Sequence, residues 1–255
     1  MGSCYNVIAF EGDFMQPFIK KHKVIILAVL GLILVCTIVC ALLYFGVIHL
    51  NHPELKGLKI KGVDVSSYQG DIDWDVLSGQ DIDFAYIKAT EGSSTVDRCF
   101  EYNWQNASKT DLCIGAYHFF SFESSGENQA KLFISTVNSV PDMLPPVIDV
   151  EFYGRFHSGE DIDVDAVKKE LRSMVDILTE HYGMKPIIYV SSDTYELIVR
   201  DDFSDCGIWY RSVYKAVPKD VNWTIWQYSN HNVLKGYNGT ERYIDMNVFS
   251  NEGWK

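Results

Sequence analysis

The hydrophobic pattern begins with one long apolar run near the N-terminus. Residues 24–50 contain no Asp, Glu, Lys or Arg, and an apolar stretch of this length is enough for a helix to cross the hydrocarbon core of a bilayer. A cleaved signal peptide has a shorter apolar core closed by a small-x-small site, whereas this run contains no Ala-x-Ala sequence. The pattern therefore predicts a retained transmembrane helix over residues 24–50.

The charges that flank this run predict its orientation. Lys20, Lys21 and Lys23 precede it directly, whereas residues 51–54 contain no Lys or Arg. Positive charge close to a membrane helix favours the cytoplasmic side. We therefore expect a single-pass protein of the cell membrane, with residues 1–23 as a cytoplasmic tail and the rest of the chain outside the cell.

A different pattern follows a short linker over residues 51–59. Short apolar segments rich in β-branched and aromatic residues recur through residues 60–255, and we expect each to be a strand. Strands that are apolar almost throughout are typical of a sheet that is buried on both faces. The eight segments are residues 60–65, 84–89, 113–119, 146–150, 186–190, 207–210, 223–227 and 243–248.

Helical patterns separate the early strands, over residues 98–109, 126–138 and 164–182. This alternation is typical of a parallel sheet with crossover helices, and eight strands are the number of a β/α barrel. The last three strands follow one another at intervals of about 20 residues, which barely accommodate a crossover helix. The fold class predicted is α/β: an irregular, TIM-like β/α barrel with reduced or missing helices after its fifth strand, and with room for a strand that is not parallel.

Composition and charge narrow the function. A chain that is 47% hydrophobic and 14% aromatic is not disordered, and a net charge of −12 argues against nucleic acid as a partner. Cys99, Cys113 and Cys206 allow at most one disulfide, and buried free thiols are the alternative. His118 has no second His at ligand spacing, so no metal and no cofactor is expected.

Acidic side chains interrupt or close several of the apolar strands. Asp64 lies in the first strand, Asp149 and Glu151 end the fourth, and Asp245 lies in the last. A single such acid is equally well a surface residue or a helix cap, but four at the strand ends, where a β/α barrel has its active site, indicate catalysis. Asp149 and Glu151 share a strand face, so each raises the pKa of the other. Paired carboxylates of this kind suit the cleavage of glycosidic bonds.

The same strand ends provide further polar and aromatic side chains. We expect these residues to bind substrate, because sugars are held by hydrogen bonds and by stacking on aromatic rings. They are Glu91, His118, Tyr189, Arg211, Gln227, Tyr228 and Asn247.

Six short motifs follow one another between residues 60 and 250. They are GVDVS at 62–66, IKATEG at 87–92, GAYHF at 115–119, DVE at 149–151, IWQY at 225–228 and IDMN at 244–247. In this order they resemble glycoside hydrolase family 25, the Chalaropsis-type lysozymes. The resemblance implies a modified β/α barrel and hydrolysis of the β-1,4 bond between N-acetylmuramic acid and N-acetylglucosamine in peptidoglycan.

The resemblance also implies roles for individual residues. Glu151 corresponds to the general acid, and Asp149, Asp64 and Asp245 correspond to its electrostatic partners. Tyr117 and Gln227 are expected to line the cleft. The resemblance further implies that the acetamido group of the substrate is the nucleophile, held and polarised by these acids.

The sequence thus predicts a membrane-anchored muramidase with a monomeric barrel that acts on the glycan strands of peptidoglycan. One alternative is a catalytically silent barrel that only binds glycan, which the retention of all four acids argues against. Another is a hydrolase of a different N-acetylated glycan such as chitin. Val147 stands where the chitinases of family 18 carry a further Asp, which disfavours this second alternative.

Overall fold

The structure is a computed structural model that describes residues 15–44, 48, 55 and 57–251. The chain forms two compact units, which divide between residues 48 and 49. Most of the predicted cytoplasmic tail, over residues 1–14, lies outside the described residues.

The first unit contains one long helix, α1 (Met15–Tyr44). It begins nine residues before the predicted transmembrane run and ends six residues before the predicted end at residue 50, although residues 45–47, 49 and 50 are outside the described part of the chain. Residues 22–44 have a mean hydropathy of 3.2, so this helix is long and apolar enough to cross a membrane. Most of its leucines are exposed, Leu27 at 68% and Leu32 at 64%.

The second unit is built on a sheet of short strands whose positions agree with the eight predicted segments. One additional two-residue strand, β3, was not predicted. The strands in chain order are β1 (Lys61–Val65), β2 (Phe84–Glu91), β3 (Thr95–Val96), β4 (Cys113–Phe119), β5 (Val147–Val150), β6 (Ile187–Val190), β7 (Gly207–Arg211), β8 (Ile225–Asn232) and β9 (Ile244–Phe249).

Eight of these strands close into a barrel. They follow the order β1-β9-β8-β7-β6-β5-β4-β2, and a parallel pairing of β1 with β2 completes the ring. The ring is parallel except at β9, which runs antiparallel to both β1 and β8. Strand β3 only extends β2 as a short antiparallel hairpin. The predicted irregular barrel is confirmed, and β9 is the strand that is not parallel.

Helices cover the outside of the barrel unevenly. They are α2 (Trp74–Ser78), α3 (Phe100–Ala107), α4 (Gly126–Thr136), α5 (Val164–Tyr182) and α6 (Ser192–Thr194), together with a 3₁₀ turn at Gly159–Asp161 and a π-helical turn at Tyr195–Val199. Between β6 and β7 there are only α6 and the π-helical turn, and the described connections from β7 to β9 contain no helix. The prediction of reduced or missing helices after the fifth barrel strand is confirmed.

The side chains of the barrel strands alternate between two cores. One core lies between the strands and the helices, and it includes Leu171 and Leu178 of α5. The other fills the barrel interior with large aromatic side chains, among them Phe84, Tyr86 and Trp209. The Tyr86 and Trp209 rings lie 4.9 Å apart between centroids, so the lower part of the barrel is a packed floor and not a channel.

Two smaller expectations concern the cysteines and the linker. Cys99, Cys113 and Cys206 are all free thiols, so buried or partly buried thiols replace the disulfide alternative. Leu55 and Leu58, within the predicted linker, pack against the core of the barrel. The part of the linker that the structure describes therefore contributes to the folded domain.

Candidate active site

The four predicted acids come together in one cleft at the C-terminal end of the barrel. Because side chains two residues apart on a strand share a face, the same alternation that directs Tyr86 inward also directs the site residues inward, one layer above the aromatic floor. The cleft has a volume of about 250 Å³. Its lining includes Asp64, Asp149, Glu151 and Asp245 with Tyr68, Gln69, Lys88, Tyr117, Phe119, Tyr189, Trp209 and Glu241.

The carboxylates of Asp64 and Asp245 are tied together by one amide. The two residues lie directly opposite each other in the antiparallel pairing of β1 with β9. Gln227 Nε2 donates hydrogen bonds of 3.1 Å to Asp64 Oδ1 and to Asp245 Oδ2. Tyr189 donates its hydroxyl to Gln227 Oε1 at 2.9 Å, which fixes the orientation of the amide.

A second amide supports Asp64 alone. Asn247 Nδ2 donates a hydrogen bond of 2.6 Å to Asp64 Oδ1. Trp209 Nε1 donates to Asn247 Oδ1 at 2.9 Å, so this amide is oriented as well. Both supporting side chains are buried. Asp64 therefore receives two fixed donors, which stabilise its ionised form.

Burial raises the pKa of each of the four predicted acids, but their neighbouring groups differ. For Asp64, the hydrogen bonds from Asn247 and Gln227 oppose the effect of burial on its pKa. The pKa of Asp149 is raised well above its usual range by burial and then by the charge of Glu151. Burial and then the charge of Asp64 raise the pKa of Asp245 well above its usual range. Asp64 is thus the best-supported anion of these three.

Glu151 is the acid most suited to exchange a proton with a ligand. Burial raises the pKa of its carboxyl group, and the guanidinium of Arg211 opposes that rise. Its side chain remains half-buried, whereas Asp149 is only 9% exposed. The Oδ1 atom of Asp149 is buried and has no hydrogen-bond partner in the described part of the chain.

Two of the predicted binding residues lie at the edge of the cleft and not within it. Glu91 ends β2 and forms an ion pair of 2.7 Å with Lys88, which lies over the ring of Phe119. Arg211 ends β7 and lines a second pocket next to the cleft. Its charge lowers the pKa values of Glu151, Asp64 and Asp245.

His118 does not lie in the cleft, and its prediction as a binding residue is corrected. The ring is buried between β4 and α4, where Nε2 donates to Gln129 Oε1 at 3.0 Å and Nδ1 accepts from the Thr90 hydroxyl at 2.7 Å. Burial lowers its pKa to about 4. The physical reason is strand alternation: Tyr117 faces inward, so the next side chain faces the helices.

The prediction that Tyr228 binds substrate is corrected for the same reason. Gln227 faces the cleft, and Tyr228 therefore points outward, where it packs in the outer core beside Trp226 at 6.3 Å between ring centroids. The expected lining residues Tyr117, Tyr189 and Gln227 do reach the cleft or its hydrogen-bond network.

Some residues of the cleft were not predicted from the sequence. Lys88 and Trp209 lie on inward-facing strand positions, so counting in steps of two along β2 and β7 would have found them. Tyr68, Gln69 and Glu241 lie on loops, for which periodicity gives no signal. Glu241 accepts a hydrogen bond of 3.2 Å from Gln69 Nε2, which joins two of these loops. Among the described residues, no group of three or more His, Cys, Asp or Glu side chains is arranged to hold a metal ion.

Comparisons with known proteins agree with this geometry. The family model of glycosyl hydrolases family 25 matches residues 63–237. A solved family 25 glycosyl hydrolase from Bacillus anthracis is 50% identical, with a TM-score of 0.72 over 79% of this chain and 94% of that chain. Lysozyme M1 of Streptomyces globisporus is 28% identical over 209 residues, which are 75% of this chain and 68% of that protein. The uncharacterized protein YegX of Escherichia coli K12 is 34% identical over 198 residues, which are 75% of this chain and 70% of that protein.

Proposed function

The chain belongs to glycosyl hydrolases family 25 and is a glycoside hydrolase of the muramidase type, and from this premise we propose that it hydrolyses the β-1,4 bond between N-acetylmuramic acid and N-acetylglucosamine in peptidoglycan. The observation that carries the proposal is the cleft in which Asp64, Asp149, Glu151 and Asp245 meet. Cleavage of a glycosidic bond needs an acid that protonates the leaving oxygen and anions that stabilise the positive charge that develops on the sugar.

Glu151 acts as the general acid in this proposal. Its raised pKa keeps it protonated at mildly acidic pH, and its half-buried side chain is open to the cleft. It gives its proton to the glycosidic oxygen as the bond to the anomeric carbon breaks.

The remaining acids act on the sugar itself. Asp64, held by two amides, supplies negative charge near the anomeric carbon. The Oδ1 atom of Asp149, which has no partner among the described residues, accepts the N–H of the substrate's acetamido group and turns its carbonyl oxygen toward the anomeric carbon. Asp245 adds a second carboxyl group beside Asp64 through the shared Gln227 amide.

The test is the substitution Glu151→Gln, which preserves shape but removes the transferable proton. We expect the rate of cell-wall lysis to fall by about 10²- to 10⁴-fold, measured as loss of turbidity. Glu127→Gln is the matched control, because Glu127 is an exposed glutamate on α4 that pairs with Lys131 outside the cleft, and we expect it to be fully active.

Mass analysis of the released sugars identifies the bond that is cleaved. Products with N-acetylmuramic acid at the new reducing end support the proposal, and cleavage of chitin oligomers in preference to cell walls would replace it with the chitinase alternative. Wild-type protein that binds walls and releases nothing would indicate a silent glycan-binding barrel. Near wild-type lysis by the Glu151→Gln protein, with its fold verified by circular dichroism, would remove Glu151 as the acid.

We also propose that the enzyme is anchored in the cell membrane through residues 24–50, with a cytoplasmic N-terminus and an extracellular barrel. The length and hydropathy of the 22–44 segment support the anchor, and the lysines before it support the orientation. An extracellular barrel is also where a peptidoglycan hydrolase meets its substrate.

Protease treatment of cells from which the wall has been removed tests this topology. With an epitope tag at each end of the chain, we expect the tag on the barrel to be lost and the N-terminal tag to be protected. Permeabilised cells are the control and should lose both tags. Protection of the barrel in intact cells would reverse the proposed orientation.

A further inference from the structure

A second pocket lies directly beside the catalytic cleft. It has a volume of about 260 Å³ and is lined by Arg211, Asn230, Glu241, Arg242, Tyr243 and Asp245. Two of these residues, Glu241 and Asp245, also line the cleft. A substrate in the cleft can therefore extend a substituent into this second pocket, which we call the arginine pocket.

The Arg211 guanidinium is half-buried in this pocket and carries five N–H donors. None of the hydrogen bonds or ion pairs found among the described residues involves it. The contrast is Lys88 on the other side of the cleft, whose ammonium group is neutralised by Glu91 at 2.7 Å. Arg211 thus offers the cleft a positive charge without a bound counter-ion among the described side chains.

The two carboxyl groups of the arginine pocket are engaged elsewhere. Glu241 accepts a hydrogen bond from Gln69 Nε2 at 3.2 Å, and Asp245 accepts one from Gln227 Nε2 at 3.1 Å. Asn230 adds a side-chain amide with a buried Oδ1 atom that has no hydrogen-bond partner in the described part of the chain. The pocket therefore holds a guanidinium without a counter-ion among the described side chains, which suits a planar, anionic group. The unpaired Asn230 oxygen can accept an N–H or O–H from another part of the same ligand.

The chemistry of the substrate indicates what this ligand is. N-acetylmuramic acid differs from N-acetylglucosamine only in a lactyl ether at O3. That lactyl arm ends in a carboxyl group, which is either free or joined to a peptide with carboxylates of its own. A carboxylate is the group that a guanidinium binds best, through two parallel charge-assisted hydrogen bonds.

We propose that Arg211 binds a carboxylate carried by the lactyl arm of the muramic acid residue and so makes the enzyme prefer muramic acid glycans to chitin. This assignment rests on the proposed function. It gives Arg211 a specificity role, since chitin offers the arginine pocket no anionic group.

Equilibrium binding tests the assignment without turnover. The full chain, solubilised in detergent and carrying Glu151→Gln, is titrated by calorimetry with a tetrasaccharide of alternating N-acetylglucosamine and N-acetylmuramic acid, and with chitotetraose. Adding Arg211→Gln should weaken binding of the muramic acid tetrasaccharide by about 10- to 100-fold, the usual effect of losing a hydrogen-bonded charge. The Kd for chitotetraose should stay within about twofold.

Two further variants separate this role from a loss of structure. Arg211→Lys keeps the charge but not the planar fork, so it should restore part of the affinity. Arg155→Gln is the matched control, because Arg155 is an exposed arginine paired with Glu123 outside both pockets, and it should leave both Kd values unchanged. Circular dichroism verifies that each variant is folded.

The outcomes separate the assignment from the function on which it rests. Equal weakening of both ligands in the Arg211→Gln protein would overturn the assignment alone. So would unchanged binding of the muramic acid tetrasaccharide together with unchanged binding of peptide-bearing glycan strands. Absence of binding of the muramic acid tetrasaccharide before Arg211 is altered would overturn the proposed function with it.

A last comparison identifies the source of the carboxylate. Two kinds of glycan strand are compared: strands that carry stem peptides, and strands from which an amidase has removed the peptides. Each kind is titrated into the Glu151→Gln protein with and without Arg211→Gln. A loss of affinity confined to stripped strands assigns the lactyl carboxylate, and a loss confined to peptide-bearing strands assigns a carboxylate of the peptide. An equal affinity of both proteins for both kinds of strand would contradict the assignment.

Discussion

The pKa of the Glu151 carboxyl group is set by two opposing effects. Burial raises it and the Arg211 guanidinium lowers it. A general acid must be protonated to act, so activity falls as the pH rises through the pKa of Glu151. The alkaline side of the pH profile is therefore where a change near Glu151 should be visible.

Arg211→Gln should move this alkaline limb to higher pH. Without the guanidinium, the ionised form of Glu151 loses a stabilising charge, so its pKa rises and the protonated form persists further. The measurement is kcat/KM against pH, which reports the free enzyme. The alkaline limb of the Arg155→Gln control should not move. A shift of the Arg211→Gln limb to lower pH would contradict the role of Arg211.

The four acids could be predicted because each interrupts or closes an apolar strand, where burying a charged side chain costs free energy unless it is paired or functional. The errors at His118 and Tyr228 have one cause: nearness to a strand end does not tell which face a residue occupies. An irregularity in β2 between Lys88 and Thr90 adds to this, because it shifts the alternation just before Glu91. Sequence spacing alone gives no sign of such a bulge.

At the scale of elements, glycines on neighbouring strands make room for the aromatic floor of the barrel. A Cβ atom on Gly115 would lie 2.3 Å from the Tyr86 ring, and one on Gly62 would lie 2.4 Å from the Phe84 ring. Both rings are fully buried and cannot move aside into solvent. The strands therefore need glycine at these positions for reasons of space.

Gly115→Ala should destabilise the barrel by about 1–3 kcal/mol, the usual cost of overpacking a core. The reason is the contact with Tyr86, which also supports Trp209 and through it Asn247. Thermal unfolding measures the loss. Gly79→Ala is the control: its φ of −73° suits alanine, and the nearest atom to the new Cβ would be at 3.4 Å. An unchanged melting temperature for Gly115→Ala would show that the floor tolerates a shifted Tyr86.

The residues at the helix ends determined which helices could be predicted from the sequence. Helix α5 has the bounds expected from the sequence, because Asp163 caps its first turn and Gly183 ends it with a φ of 71°. The five residues of α2 and the two of β3 are too short to produce a periodic pattern. Their positions follow from tertiary contacts, such as Asn103 Oδ1 accepting a hydrogen bond from Trp74 Nε1.

For the whole molecule, the spacing of strands carried most of the information about the fold. The long intervals between the early strands contain crossover helices. The short intervals between β7, β8 and β9 contain none among the described residues. The antiparallel direction of β9 agrees with its connection from β8, because a connection without a helix favours a strand that returns alongside the previous one. Whether the folded domain begins before β1 could not be read from spacing, since the contribution of Leu55 and Leu58 arises from packing.

A chain that starts at Asn51 should therefore be soluble, monomeric and active, whereas one that starts at Ile60 should be less stable. The shorter chain loses Leu55 and Leu58, which pack against the barrel core, and partial burial of two leucines is worth about 1–3 kcal/mol. The measurements are light scattering for mass, thermal unfolding, and release of sugars from solubilised wall fragments, with the full chain in detergent as the control. Equal melting temperatures of the two truncated chains would place the start of the domain at β1. Aggregation of the chain from Asn51 would mean that the segment before it is part of the fold and not only an anchor.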